Sequence, residues 1–243
     1  MSQSDALLFL KALKEDGMEH LYIPDKSVQT VALPEKNKSG KANVANKPET
    51  SIEKDSVRTE MLKLHKQVMS CTQCPILVKN CTKVVFGSGN IHAKIVFVGE
   101  APGADEDIQG LPFVGRAGQL LTKIIEAMGF KRDEVFICNV LKCRPPNNRP
   151  PAPDEVVNCR PYLKRQLELI KPKVVVALGN HAVHALLQTE QGISSLRGTF
   201  QEYEGIPVMC TYHPAYLLRS PGEKRKVWDD MKKVMKRLEE APE

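Results

Sequence analysis

The chain has 243 residues, of which 42% are hydrophobic and 26% charged, with a formal net charge of +6. That is enough apolar material for one full domain plus an appendage, and the charge balance favours an anionic partner without identifying one. No apolar run approaches the roughly 18 residues that span a bilayer, so no membrane partner is expected.

The opening, MSQSDALLFLKALKEDG, lacks the basic n-region, long apolar core and small-residue cleavage site of a secretory signal. A cytosolic setting is therefore expected, where thiols stay reduced and seven cysteines point to metal, cofactor or core roles rather than disulfides. Residues 1–23 are predicted to carry a short amphipathic helix, capped near Ser4 and ended by Gly17. Residues 24–55, with LPEKNKSGKANVANKPETS, offer almost nothing to bury and are predicted to be a disordered linker. Residues 56–243 then form the main domain, opening on a helix from Val57 to Ser70.

Apolar runs predict strands at Ile95–Val98, Val135–Asn139, Lys173–Leu178 and Pro207–Thr211, with a short hairpin at Gln201–Gly205. Helices are predicted across Leu120–Met128, Asp154–Ile170, Asn180–Gln188 and Glu223–Leu238. Strands alternating with helices imply an α/β fold of three layers, α/β/α, around a mainly parallel four-stranded sheet. Ligands in such open sheets bind beyond the carboxyl ends of the strands. Gly99 with Glu100, Asn139, Gly179 with Asn180, and Tyr212 with His213 stand at those ends, which gathers an acid, an amide and an imidazole on one edge. From Lys131 to Lys173 ten Lys/Arg face five Asp/Glu, a clustering that suits a phosphate-binding face. His181 and His184, three residues apart on a helix, are read as structural or phosphate-facing rather than as a metal site.

Cys71 and Cys74 in CTQCP have the spacing for two thiolates on one metal centre, and Cys143 and Cys159 supply two distant partners. Zinc and an iron–sulfur cluster are both compatible with that spacing. Cys138 and Cys210 fall inside strands and read as core thiols.

GEAPGADED followed by GLPFVGRAGQLL, then the four cysteines with their prolines and PYL, then HPAYLLR, resembles the family 4 uracil-DNA glycosylases. These are the iron–sulfur branch of the uracil-DNA glycosylase superfamily. The resemblance runs from about Cys71 to Leu238. It implies a monofunctional enzyme that flips uracil out of single- or double-stranded DNA and hydrolyses its N-glycosidic bond without a catalytic metal, leaving an abasic site for base excision repair. It also implies a [4Fe–4S] cluster on Cys71, Cys74, Cys143 and Cys159, with Cys81 left out because the family has an unrelated residue there. A non-catalytic iron–sulfur DNA-binding relative is the alternative. A monomer of the prokaryotic cytosol associated with the nucleoid is expected, with the N-terminal tail available to a repair or replication partner.

The family match gives the individual residues their expected roles. Phe113 stacks on the base, an interaction of about 1–3 kcal/mol. Asn139 reads the uracil edge, accepting from N3–H and donating to O4, a pattern cytosine reverses. His213 donates to O2 as negative charge develops there. Glu100, Ala101 and Pro102 line the uracil site. Other branches carry an aspartate where this chain has Ala101, so the water-orienting carboxylate is expected to be Glu100, then Glu106 or Asp107. Tyr216, Leu217, Leu218 and Arg219 form a minor-groove loop in which Leu217 and Leu218 are not separable by sequence, each suited equally to the wedge or to packing under the loop, and Asn148 and Arg149 contact the DNA backbone.

Overall fold

In a computed structural model, residues 50–240 are described, with side chains from Ser56 onward. The predicted N-terminal helix and most of the predicted linker lie outside them. The first helix, α1 (Thr50–Met69), starts before Val57 and takes in the last residues assigned to that linker. It is followed by α2 (Pro75–Asn80), β1 (Ser88–Gly89), β2 (Ile95–Gly99), α3 (Ala104–Gln109), α4 (Arg116–Ala127) and β3 (Phe136–Asn139). Then come α5 (Pro153–Ile170), β4 (Val174–Leu178), α6 (Asn180–Leu187), α7 (Ile193–Leu196), β5 (Phe200–Tyr203), β6 (Ile206–Thr211), α8 (Pro214–Arg219) and α9 (Lys224–Glu240). No helix among the described residues is long and apolar enough to cross a membrane.

The sheet has six strands in the order β1-β3-β2-β4-β6-β5. The four strands expected from the apolar runs are its parallel centre, and β1 and β5 add antiparallel edges. β5 with β6 is the hairpin anticipated near Gln201. The two-residue β1 was not anticipated. The central strands are buried on both faces, which explains runs such as IVFV and VVVAL without polar alternation. Val96, Val98, Cys138, Val175, Ala177 and Cys210 point into one core layer with Met61, Leu64 and Val68 of α1 and Leu163 and Leu167 of α5. Val227, Trp228, Met231 and Val234 of α9 are buried as well, and that helix packs on β4 and β6.

Register brings the strand ends level. Gly99 is the partner of Asn139 across β2 and β3, and Leu178 is the partner of Thr211 across β4 and β6. Pairing continues past the strand ends, with Val140 N–H donating to Gly99 O and Gly179 N–H to Thr211 O. The chain segments that carry Glu100, Asn139 and His213 thus leave the sheet at one edge.

The basic segment is not a single face. Lys142 is buried, Arg149 is paired with Glu155, and Lys164 and Arg165 pair with Glu204, Glu168 and Glu60. Lys171 follows the far end of α5, beyond the sheet edge opposite the strand carboxyl ends. Part of the excess charge counted in sequence is therefore consumed by the fold.

Candidate active site

Phe113 is the residue around which this edge is built. It is buried and holds a left-handed backbone, φ +52°, a conformation that costs a non-glycine residue energy and persists only where its surroundings impose it. Two groups impose it. Arg132 donates to Pro112 O at 2.6 Å, to Phe113 O at 3.1 Å and to Thr122 Oγ1 at 3.0 Å. On the other side Glu106 accepts from the N–H groups of Val114 at 2.8 Å, Gly115 at 3.0 Å and Gly103 at 3.1 Å. The start of α4 is close enough to Phe113 that a Cβ on Gly118 would overlap the Phe113 carbonyl.

The ring of Phe113 lies against Gly99 and Asn139. A Cβ on Gly99 would sit 2.5 Å from Phe113 Cζ and would overlap Asn139 Oδ1. Glycine at this strand end therefore lets a ring and an amide approach one backbone position. Asn139 is 1% exposed, and its Oδ1 is buried with no hydrogen-bond partner among the described residues. An orphaned buried acceptor costs about 1–3 kcal/mol, which a ligand donor would recover.

His213 closes the group from β6. Its ring centroid is 5.5 Å from that of Phe113, with the planes tilted by 31°. Its backbone is tight against Gly179, where a Cβ would meet His213 Cβ at 2.9 Å. As N-cap of α8, His213 accepts from Ala215 N–H through Nδ1 at 3.1 Å. That bond occupies the Nδ1 lone pair, so the neutral ring carries its proton on Nε2. Loss of hydration, reinforced by the Arg219 charge, pushes its pKa down to about 4. At neutral pH His213 is a neutral N–H donor.

Glu100 lies on the same edge, about a third exposed, with Oε2 3.9 Å from His181 Nε2. Burial raises its pKa, and the His181 charge opposes that rise. Ala101 is half-buried and Pro102 buried in the turn that follows.

Several expected roles change with these contacts. Both carboxylate oxygens of Glu106 accept from backbone N–H groups, Oε1 from two and Oε2 from one, so it fastens the Phe113 loop. Asp107 is likewise committed, its Oδ1 accepting from Thr82 and Lys83 N–H. Arg149 makes a two-pronged pair with Glu155, and Asn148 accepts from Arg144 Nε at 2.8 Å. This leaves Arg144, which sequence reasoning passed over, as the half-buried cation oriented in that loop. Leu217 is 1% exposed and packs beneath α8, whereas Leu218 is 39% exposed beside the exposed Arg219. The two leucines are separated by the turn of the helix. Arg132 was also missed, because its targets are carbonyls 19 and 20 residues away and carry no side-chain signature.

The cysteines gather at the other end of the β3–α5 connection. Cys143 and Cys159 are buried, Cys71 and Cys74 half-buried. Each of the thiols at Cys74, Cys143 and Cys159 has its pKa raised, with burial the first cause for Cys74 and Cys159 and a hydrogen bond with Cys81 the first for Cys143. Repulsion from neighbouring thiolates adds to all three, so these sulfurs lie near one another. Asn158 Nδ2 donates to Cys74 Sγ at 3.5 Å, and a hydrogen bond with Cys71 first, then burial, pushes the Tyr162 phenol up to about 12. No group of three or more His, Cys, Asp or Glu among the described residues is arranged to hold a single metal ion. Cys81, set aside in sequence, lies within hydrogen-bonding reach of Cys143. Cys138 and Cys210 are fully buried in β3 and β6.

A family model described as "Uracil DNA glycosylase superfamily" matches residues 86–232. The Type-4 uracil-DNA glycosylase of Archaeoglobus fulgidus is 46% identical over 177 residues, which cover 70% of this chain and 88% of the relative. That of Thermotoga maritima is 45% identical over 182 residues, covering 73% and 94%. A Type-5 uracil-DNA glycosylase from Pyrobaculum aerophilum is 31% identical over 188 residues, covering 64% and 83%. With its parallel strand ends, its short strained aromatic loop and these relatives, the chain belongs to the uracil-DNA glycosylase superfamily and, within it, to the type-4 family.

Proposed function

We infer that this protein is a monofunctional uracil-DNA glycosylase that opens base excision repair by hydrolysing the bond between uracil and deoxyribose. The observation that carries the reading is the buried, unpartnered Oδ1 of Asn139 lying against the Phe113 ring. A flat base with an N–H at its edge and a carbonyl beside it supplies what that pair lacks, and cytosine, with acceptor and donor exchanged, does not.

The target nucleotide must leave the stack before its glycosidic bond is accessible. Leu218, the exposed leucine of α8, fills the gap from the minor groove, with Arg219 beside it and Arg144 on the phosphates. The flipped uracil stacks on Phe113. As the bond from C1′ to N1 breaks, its electron pair passes into the uracil ring and charge grows on O2. The Nε2–H of His213 meets that charge as a fixed neutral donor. Glu100 orients the attacking water and stabilises positive charge on the sugar. The water oxygen bonds to C1′, and its proton passes through the carboxylate to solvent. The departing uracil anion takes a proton from solvent, and the products are uracil and an abasic site.

Cys71, Cys74, Cys143 and Cys159 would hold a [4Fe–4S] cluster, which would tie the loop after α1 to α5 and to the connection after β3. No step of the hydrolysis needs it. The protein acts as a monomer wherever the cell keeps its DNA, on single- or double-stranded substrate, and the N-terminal residues are available to a repair or replication partner.

The test is release of free uracil, measured by chromatography, from an oligonucleotide with a single uracil in single- and double-stranded form. Uracil release with alkali-labile strand breakage is the expected result. Tight DNA binding without release would instead mark a non-catalytic iron–sulfur relative.

A further inference from the structure

Between the cysteines and the uracil-reading amide lies a lysine with no acidic partner among the described residues. Lys142, 2% exposed, follows β3 and precedes Cys143. Its Nζ donates to the backbone carbonyl of Asn139 at 2.8 Å and to Gln166 Oε1 at 2.7 Å. Gln166 is also buried, and its Nε2 donates to Phe86 O at 2.9 Å, so the chain of bonds is anchored on the far side. The backbone N–H of Lys142 hydrogen-bonds the Cys159 sulfur, and its carbonyl accepts from Val85 N–H at 2.7 Å.

Two neutral acceptors satisfy two of the three ammonium N–H groups but leave its charge unanswered. A buried cation in that condition costs several kcal/mol. The ionisable groups acting on Lys142 are thiols, those of Cys138 and Cys159. Four ligating thiolates more than cancel the charge of an iron–sulfur core, so the ligated cluster is a net anion next to this lysine.

We propose that Lys142 is a positioning residue that couples the iron–sulfur site to base selection. Its ammonium is the internal countercation of the thiolate-bound cluster, and its bond to the Asn139 carbonyl holds the end of β3 so that the side-chain amide meets the uracil edge in register. The inference rests on the cluster and pocket assigned under the proposed function. It gives the cluster a consequence for recognition although it stands apart from the reacting atoms. Removing the charge on one side loosens the amide on the other.

The test uses the iron-loaded full chain with Lys142→Met, which keeps the length of the side chain and removes charge and donors. Three quantities are read: iron content with visible absorption, the midpoint potential of the cluster, and the affinity for free uracil as product inhibitor. With iron retained, the potential is expected to move negative, because a positive charge that stabilised the reduced cluster is gone. Free uracil is expected to bind about tenfold more weakly, while affinity for uracil-free DNA stays as in the parent. Should Lys142→Met fail to fold, Gln166→Met leaves the ammonium one acceptor short, and weaker uracil binding is expected there too. An unchanged potential or unchanged uracil affinity in loaded Lys142→Met overturns the proposal, as does parental uracil affinity in Gln166→Met. A parent protein without iron, or without uracil inhibition, would remove instead the functional reading beneath it.

Discussion

Burial shifts His213 and Glu100 in opposite directions, and both shifts favour the neutral form. His213 sits below its ordinary value of 6.5, at about 4, because burial strips its hydration. Glu100 sits above the ordinary carboxylate range for the same reason, since burial disfavours whichever form is charged. Lowering the pH therefore protonates Glu100 while His213 is still neutral. The uracil-release rate is expected to fall along a single acid limb belonging to Glu100, and Glu100→Gln should be slower and flat over that range. For stability the sign follows from His213: its folded state binds fewer protons than the unfolded chain between pH 6.5 and about 4, so this contribution is full above 6.5 and is lost as pH falls through the window. An acid limb near pH 6.5 that disappears in His213→Asn would contradict the assignment of a neutral donor. At this scale the sequence placed Phe113, Asn139 and His213 through the carboxyl-edge rule and the motif match. It did not separate Leu217 from Leu218, adjacent in a six-residue helix, because which one faces the core depends on where α8 docks.

The elements that carry the site are held by backbone contacts, and these respond to small changes. Gly99→Ala puts a methyl group into both the Phe113 ring and the Asn139 amide. The ring and amide must part, so KM for uracil-DNA is expected to rise at least tenfold with little change in melting temperature, measured by steady-state kinetics beside thermal unfolding. Glu106→Gln removes the charge from three backbone hydrogen bonds, each worth about 1.5–3 kcal/mol when charge-assisted. That variant should lose stability and activity together while the pH profile keeps its shape; loss of the acid limb would return Glu106 to the chemistry. The strands were legible because β2, β3, β4 and β6 are buried on both faces and so are written as unbroken apolar runs. β1 was not, since Ser88 and Gly89 carry no pattern and pair only because Gly89 tolerates a φ of +121° against the Val135 carbonyl. The acidic loop after β2 read as a catalytic stretch, yet Glu106 and Asp107 are spent on neighbouring N–H groups, a use that long-range backbone geometry decides.

At the scale of the molecule, the cluster cysteines and the pocket share one connection, from Asn139 at the end of β3 to Cys159 in α5. Cys143→Ser is expected to lose the iron and the brown colour, and with them several degrees of melting temperature, whereas Cys81→Ser should keep the iron, because the proposed ligands are Cys71, Cys74, Cys143 and Cys159 and Cys81 enters only as a hydrogen-bonding neighbour of Cys143. Iron analysis of the two purified variants distinguishes these outcomes, and loss of iron in Cys81→Ser would rewrite the ligand set. The net charge of +6 was a poor guide to the DNA face for a related reason. Arg132, Lys142, Arg149, Lys164 and Arg165 are occupied within the fold, which composition cannot reveal.

The account stands most directly on one comparison: uracil release from a duplex with a single uracil by the parent protein, Asn139→Ala and His213→Ala, each with iron content and DNA affinity measured alongside. Release by the parent is expected, with a fall in kcat of roughly 10²–10³-fold in His213→Ala and loss of uracil binding in Asn139→Ala, all with DNA affinity and iron retained. Parental rates in either variant would contradict it, because the buried amide and the neutral imidazole would then have no part in the reaction.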